Sequence, residues 1–177
     1  MVTQDVATDA QVTPEPILAV ATGFMAAKHL FVANEIGLFS ALADGPLALD
    51  ALAERTGVPR PSVRILADAM VALHFLAREG DHYRNQPVAQ VYLAGQTPAD
   101  LRPGLRFFDQ ISYPTWLHLE DAIRTRRGVR GELSPEQNEI RSQGIAAITA
   151  GAARALARSY DLTRYQRLLD LGGGMGA

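Results

Sequence analysis

The sequence has 177 residues, of which 47% are hydrophobic and 20% are charged. This balance is typical of a folded globular chain, because disordered chains carry fewer apolar residues and a larger net charge. Seventeen basic residues against nineteen acidic ones give a formal charge of −2, so no overall basic field attracts nucleic acid. The lack of cysteine excludes a disulfide framework, a thiolate metal site and a cysteine nucleophile.

The first residues are polar and acidic and lack the positive and apolar regions of a secretory signal. We therefore expect a cytoplasmic protein with a disordered tail over residues 1–14. The apolar run Ile17–Ala27 is shorter than the ~20 residues that cross a membrane. It predicts a place in a core or an interface and no membrane contact.

Apolar residues recur at spacings of three and four from Pro16 to Asn34, which predicts a helix that begins at the proline. Leu18, Met25 and Leu30 place further apolar side chains on its other faces. A helix that is apolar nearly all round must be covered by protein on more than one side. In a chain of this size, that pattern indicates a partner subunit.

The next segment predicts three helices and a hairpin. A short helix over Leu38–Ala43 is followed by a second over Leu49–Thr56, which Gly57 ends. Prolines 59 and 61 open a third helix with an apolar stripe, and "FLAREGDHYRN" after it has the composition of a tight β-hairpin. This order is that of a winged helix-turn-helix.

Beyond Pro87 the pattern returns to helix. We expect short helices in "PVAQVYL" and "PADLRPGLRFFDQIS", and another that begins at Pro114. A long helix is predicted from Pro135 to Tyr160, with Ser134 as its N-terminal cap.

The tail "LLDLGGGMGA" predicts a buried strand at Leu168–Leu171 that enters a glycine-rich turn. Glycines after a strand let backbone N–H groups approach a negatively charged cofactor. The spacing of Gly172, Gly174 and Ala177 also satisfies the dinucleotide pattern G-x-G-x-x-G/A. Its confirming acidic residue belongs about 20 residues further on, so the turn alone leaves the cofactor open.

The wider pattern is more specific. Helices with a winged-helix core, then "WLHLEDAIRT", then the long helix and "YDLTRYQRLLDLGGGMG" resemble the bacterial small-molecule O-methyltransferases that use S-adenosylmethionine. The resemblance covers about residues 15–177, and its most specific part is the last segment.

The resemblance implies roles for particular residues. Asp170, Gly172, Gly174 and Gly176 match the first cofactor motif, whose glycine backbone faces the amino acid end of S-adenosylmethionine. The N-terminal helices would form a homodimer, and the acceptor would be a hydroxylated aromatic or polycyclic natural product. The expected catalytic base matches no histidine here and would lie beyond Ala177, so the chain alone is expected to be inactive.

Several apolar and aromatic residues are candidates for the wall around the acceptor, although residues of this kind at helical spacing are usually core. Tyr113 and Trp116 are favoured because each has a polar group that needs a partner when it is buried. The candidate set is Met25, Phe108, Tyr113, Trp116 and Ile148. The four histidines show no paired spacing on a helical face, so we predict no metal site.

The predicted fold is mainly α, with a winged-helix-like dimerisation domain and a small hairpin. The first strand of an incomplete Rossmann-like methyltransferase domain follows. The predicted divisions are a tail over 1–14, the dimerisation domain over 15–95, a helical acceptor-side region over 96–160 and the start of the cofactor domain over 161–177.

Two alternatives remain open at the level of sequence. A winged helix could read DNA, but residues 54–84 carry five arginines against four acidic residues, which is a weak phosphate-binding pattern. We therefore predict no nucleic acid partner. The four arginines 124, 126, 127 and 130 fit a solvated helix end. A stand-alone dimerisation module or a split subunit is the other alternative.

Overall fold

A computed structural model describes residues 12–128, 131–167 and 169–173. The predicted tail therefore lies mostly outside the described residues. In the described part, helices alternate with one small sheet. The helices are α1 (Glu15–Glu35), α2 (Leu38–Ala41), α3 (Leu49–Thr56), α4 (Arg60–Ala72), α5 (Pro87–Tyr92), α6 (Arg102–Phe107), α7 (Tyr113–Trp116), α8 (Leu119–Thr125) and α9 (Pro135–Ser159). The strands are β1 (Leu47–Ala48), β2 (Leu76–Glu79) and β3 (His82–Asn85).

Helix α1 is long, apolar and only partly covered. The helix packs on α4 and α6, and in its second half Ala33 is fully buried and Asn34 donates to the carbonyl oxygen of Arg102. Residues 15–25 of the same helix are all exposed. The helix has 21 residues and a mean hydropathy of 1.5 over an 18-residue window, which is long and apolar enough to cross a membrane.

This helix is longer than the apolar run that the sequence analysis considered, and the expectation of no membrane contact stays a prediction. Length and composition alone are weak evidence for a membrane span, because a core helix or an interface helix has the same properties. The role of α1 therefore depends on which molecule covers its exposed first half.

The main core lies between α2, α3, α4 and the sheet. Tyr83, Phe39, Leu38, Leu52 and Met70 are among its fully buried side chains. Helix α3 ends at Gly57, whose φ of +66° lies in the left-handed region that favours glycine. The predicted bounds of α3 are confirmed, and its C-terminal end is set by a local signal.

The sheet has three antiparallel strands in the order β1-β3-β2. The hairpin of β2 and β3 pairs Leu76 with Asn85 and Glu79 with His82, and β1 pairs Leu47 with Tyr83. The hairpin was predicted, but β1 was missed, because two residues are too short for an alternating pattern.

Helices α6 and α7 are joined by a π-helical turn at Phe108–Ser112 into one continuous helical run. This run crosses α9 at two glycines. A Cβ on Gly104 would lie 2.9 Å from Cγ1 of Ile148, and a Cβ on Gly144 would lie 2.2 Å from Cβ of Phe107. The two helices approach this closely because glycine has no side chain.

The region after α7 differs from its prediction in two ways. A turn at residues 117–118 separates α7 from α8, where one helix was expected. Residues 169–171 form no strand and Leu171 is 83% exposed, so the prediction of a buried strand is wrong for this described part. A parallel strand needs hydrogen-bonded neighbours, and no other strand in the described ranges pairs with it.

Helix α9 begins as predicted. Ser134 accepts a hydrogen bond from the backbone N–H of Gln137, and the Gln137 side chain accepts one from the backbone N–H of Ser134. This reciprocal capping box satisfies two amide groups at the helix start. Ile140 and Gly144 of the predicted face are buried, whereas Ile148 and Leu156 are exposed.

Candidate functional site

Two grooves lie along the α6–π–α7 run. One is formed with α1 and has a volume of about 360 Å³, and the other is formed with the start of α9 and has a volume of about 580 Å³. Both volumes are in the range of small-molecule sites. The α1 groove is lined by Phe24, Met25, Lys28, His29, Val32, Leu66 and Tyr113. The Trp116 groove is lined by Phe107, Ile111, Ser112, Thr115, Trp116, Gly131, Glu132, Leu133, Gln137 and Arg141.

An ion pair joins α1 to the π-helical turn beside the α1 groove. The Lys28 ammonium donates to Asp109, whose side chain is only 17% exposed. The same ammonium lies 5.7 Å from the centre of the Tyr113 ring, within the range of a cation–π contact. Tyr113 also meets the Phe31 ring edge-on at 6.5 Å. These contacts fix one wall of the α1 groove.

His29 presents a defined ring nitrogen in the α1 groove. Its Nδ1 lies 2.7 Å from the carbonyl oxygen of Met25. A carbonyl oxygen only accepts hydrogen bonds, so Nδ1 carries the proton and donates. In the neutral ring, Nε2 is then the acceptor. The groove therefore combines apolar walls with one ring nitrogen that can accept a hydrogen bond from a hydroxyl.

The Trp116 groove has an aromatic wall and a polar rim. Trp116 is 64% exposed, and Phe107 lines the same groove. Gln137 uses its side-chain oxygen in the α9 cap, which leaves its amide N–H groups as donors. Arg141 adds a guanidinium on the next turn of α9. The groove is thus a flat aromatic surface bordered by donors and by Glu132.

The structure separates the candidate acceptor residues of the sequence analysis. Met25 and Tyr113 meet in the α1 groove, and Trp116 lines the other groove. Phe108 packs on Phe107 with ring centres 5.4 Å apart but lines neither groove. Ile148 packs over Gly104 and also lines neither. Lys28, His29 and Arg141 were missed as groove residues, because single polar side chains on a helix give no periodic signal.

The glycine segment is described only as far as Gly173. Gly172 has a φ of +80°, in the left-handed region that favours glycine. The carboxylate of Asp170 lies over Gly173, where a Cβ would be 1.7 Å from its Oδ2. Gly174 and Gly176 lie outside the described residues.

A compact aromatic cluster precedes this segment. The hydroxyls of Tyr160 and Tyr165 lie 2.8 Å apart and their rings stack at 6.3 Å. The Arg164 guanidinium lies within 5.9 Å of both ring centres. These contacts order the turn between α9 and the glycine segment.

Comparison with known proteins gives a consistent result. The O-methyltransferase dimerisation domain family matches residues 18–95. The tetracenomycin polyketide synthesis 8-O-methyl transferase TcmO of Streptomyces glaucescens is 34% identical over 172 residues, which cover 92% of this chain and 51% of that protein. The 3-hydroxy-5-methyl-1-naphthoate 3-O-methyltransferase of Streptomyces sahachiroi is 33% identical, and the match covers 93% of this chain and 50% of that protein.

Among solved structures, human N-acetylserotonin methyltransferase in complex with S-adenosylmethionine is similar with a TM-score of 0.82 and 28% identity. The match covers 98% of this chain and 55% of that one. The chain thus spans about half the length of the curated relatives it matches. The resemblance found in the sequence is confirmed, and residues 18–95 of this chain match the O-methyltransferase dimerisation domain family.

Proposed function

We propose that this chain is the dimerisation and acceptor-side part of an S-adenosylmethionine-dependent O-methyltransferase. The intact enzyme would transfer a methyl group to a hydroxyl of an aromatic or polycyclic natural product. The single observation that carries the proposal is the exposed apolar half of α1, in a region that matches a dimerisation family. A DNA-binding regulator is not favoured by the family match or by the charge of the helices.

The homodimer follows from the surface of α1. Ile17 is 72% exposed and Val20 is 83% exposed, and Phe24 and Met25 continue the same surface toward the α1 groove. An apolar surface of this length is costly in water. A second copy of α1 offers the same apolar side chains and would cover it symmetrically. We therefore assign residues 15–95 to dimerisation.

The acceptor class rests on the two relatives and on the grooves. TcmO and the naphthoate O-methyltransferase act on aromatic compounds, according to their names. Tyr113, Trp116 and Phe107 supply aromatic surfaces here, on which planar rings stack favourably. We also propose three further acceptor-side residues: Phe108 and Ile148 in the 96–160 region, and Met25 on α1.

S-adenosylmethionine would be held by Asp170, Gly172, Gly174 and Gly176, at the start of the 161–177 cofactor region. The left-handed backbone conformation of Gly172 supports this assignment. The cofactor supplies an activated methyl group. The residues of this chain would position it and keep the acceptor side dry.

The same proposal includes a winged-helix arrangement of α3, α4 and the β2–β3 hairpin. It also includes a cytoplasmic location and a Rossmann-like cofactor region after α9. Helix, turn, helix and hairpin occur in the required order. In this reading the winged helix supports α1 and does not read DNA.

The proposal is tested by measuring the molar mass of the 177-residue chain by light scattering. We expect twice the monomer mass of 19.1 kDa. A monomer at concentrations of about 10 μM and above, where interfaces of ordinary size are occupied, would contradict it. Binding to random duplex DNA at low salt is the matching test of the regulator alternative.

A further inference from the structure

We infer that Arg141 determines acceptor specificity by binding a carboxylate of a planar aromatic ligand that stacks on Trp116. The inference rests on the proposed function and adds to it the chemical class of the acceptor. It concerns the Trp116 groove alone, and not the α1 groove or the glycine segment.

The first support is the shape and the wall of the groove. Its volume of about 580 Å³ is sufficient for a fused aromatic ring system. Trp116 presents most of its indole surface to solvent, although tryptophan is among the side chains that gain most from burial. A flat ligand on Trp116 would cover that surface and contact Phe107.

The second support is the state of the Arg141 guanidinium. Its side chain takes part in no hydrogen bond or ion pair within residues 12–128, 131–167 and 169–173. Arg60 and Arg102 are paired with carboxylates, whereas Arg158 on the same helix as Arg141 also has no such contact within these residues but lies outside the groove. A guanidinium offers five N–H donors in a planar fork that matches a carboxylate. Arg141 therefore retains its full capacity for an anionic ligand in a groove with an aromatic wall.

The third support is the balance of donors and acceptors around Arg141. The oxygen of the Gln137 side chain is already occupied by the backbone N–H of Ser134 at 2.9 Å. Its amide N–H groups, the Arg141 fork and the Ser112 hydroxyl are therefore the groups left to bind a ligand. Donors favour a ligand group that only accepts, and an ionised carboxylate is such a group.

Glu132 is the opposing charge in the groove and defines where the carboxylate can bind. No ion pair joins Glu132 to Arg141 in the described part of the chain. A ligand carboxylate is attracted by Arg141 and repelled by Glu132, so the ring must lie with its carboxylate at the α9 side. Neutralising Arg141 should therefore weaken anion binding, and neutralising Glu132 should strengthen it.

The test uses the fact that Trp116 is the only tryptophan in the sequence, so its fluorescence reports on this groove. The probes are 2-naphthoate and the neutral 2-naphthamide, titrated into the 177-residue chain and checked by calorimetry. We expect 2-naphthoate to bind about 10-fold more tightly than 2-naphthamide, because its carboxylate can form one charge-assisted pair with Arg141. Arg141→Gln should remove that preference and change naphthamide affinity by less than about 2-fold.

Two further variants complete the design. Glu132→Gln should strengthen naphthoate binding and leave naphthamide binding unchanged. Arg158→Gln is the matched control, because Arg158 is also exposed on α9 but lies outside the groove. It should alter neither probe. Arg141→Lys retains the charge without the fork and should give an intermediate preference.

Equal affinity of the two probes for the unmodified chain, or equal weakening of both by Arg141→Gln in a folded variant, overturns the inference. If Arg141→Gln unfolds, the affinities of Glu132→Gln and Arg141→Lys for the two probes test the inference instead. If neither probe binds, the inference fails together with the acceptor-side part of the proposed function. The dimer mass still tests the dimerisation part independently.

Discussion

Gly144 of α9 lies directly against Phe107 of α6. A Cβ on Gly144 would be 2.2 Å from Cβ of Phe107 and 3.0 Å from the carbonyl oxygen of Pro103. Carbon atoms make favourable contact only near 3.5–4.0 Å, so no larger residue fits without moving α6. Because Phe107 lines the Trp116 groove, this crossing also sets the position of the groove wall.

Gly144→Ala should therefore lower the free energy of unfolding by about 1–3 kcal/mol, because it overpacks the crossing. Urea unfolding followed by circular dichroism measures the change. The matched control is Gly151→Ala on the same helix, where an added Cβ meets nothing within 4 Å. That variant should raise the free energy of unfolding by up to about 1 kcal/mol. Equal effects of the two variants would contradict the close packing.

Val20→Glu should weaken the dimer at least about 10-fold, because a carboxylate in an apolar interface loses its hydration. Light scattering over a dilution series measures the dissociation constant. Val20 is 83% exposed, so the substitution should leave the fold of the monomer intact. Ile123→Glu on α8, at an exposed apolar residue outside residues 15–95, is the control and should leave the dimer unchanged. A dimer that resists Val20→Glu would place the interface elsewhere.

The hydroxyl of Tyr83 donates to Oδ1 of Asp68 at 2.6 Å, which joins β3 to α4. Burial of the ring, followed by the hydrogen bond and the charge of Asp68, raises the pKa of Tyr83 to about 12. An unfolded tyrosine has a pKa of about 10. The folded state therefore retains the proton more tightly.

Because the folded pKa is the higher one, this stabilisation is complete below about pH 10 and is lost as the pH rises to about 12. We expect the free energy of unfolding to fall over that range by about 1–2 kcal/mol more in the unmodified chain than in Tyr83→Phe. Chemical unfolding at a series of pH values measures this difference. Parallel pH curves for the two proteins would rule out the role of the hydroxyl.

Arg102 ties the start of α6 to neighbouring segments. It binds Asp100 through two nitrogen atoms, with Nη2 at 2.8 Å from Oδ2, and it donates to Oγ of Ser40 at 2.8 Å. Burial opposes ionisation of Asp100, but hydrogen bonds from Arg102 outweigh it and hold the pKa of Asp100 below its ordinary value.

Arg102→Lys should lower the free energy of unfolding at neutral pH by about 1 kcal/mol, because lysine cannot reproduce the fork at a partly exposed site. Since the folded pKa of Asp100 is lowered, the pair stabilises the fold above about pH 4 and this contribution is lost as the pH falls further. The difference in the free energy of unfolding between the unmodified chain and Arg102→Lys should therefore shrink as the pH falls below about 4. Arg106→Lys, at an exposed arginine 4.0 Å from Glu35, is the control with little effect.

Local signals in the sequence predict much of the fold. Helix α3 was predicted with its bounds, and its C-terminal end is marked by Gly57 and the prolines that follow within a few residues. The β2–β3 hairpin and the Ser134 cap were predicted for the same reason. These features depend on backbone conformation and on neighbours close in the chain.

The candidate site was predicted less well. Tyr113 and Trp116 are three residues apart, yet they line different grooves. Both residues follow the π-helical turn, so they are separated by what packs beside each of them: α1 beside Tyr113 and the start of α9 beside Trp116. A period of 3.6 residues carries no sign of these neighbours. The charged residues in the grooves were missed, because Lys28 meets Asp109 across 81 positions of the chain.

The sequence by itself determined the resemblance to O-methyltransferases and most of the helical architecture, since each depends on motifs or on short-range periodicity. Only the tertiary structure decided which half of α1 is covered, where α6 crosses α9, and which side chains share a groove. Those properties arise from contacts between residues far apart in the chain, such as Gly144 with Phe107, and packing of this kind leaves no periodic signal in the sequence.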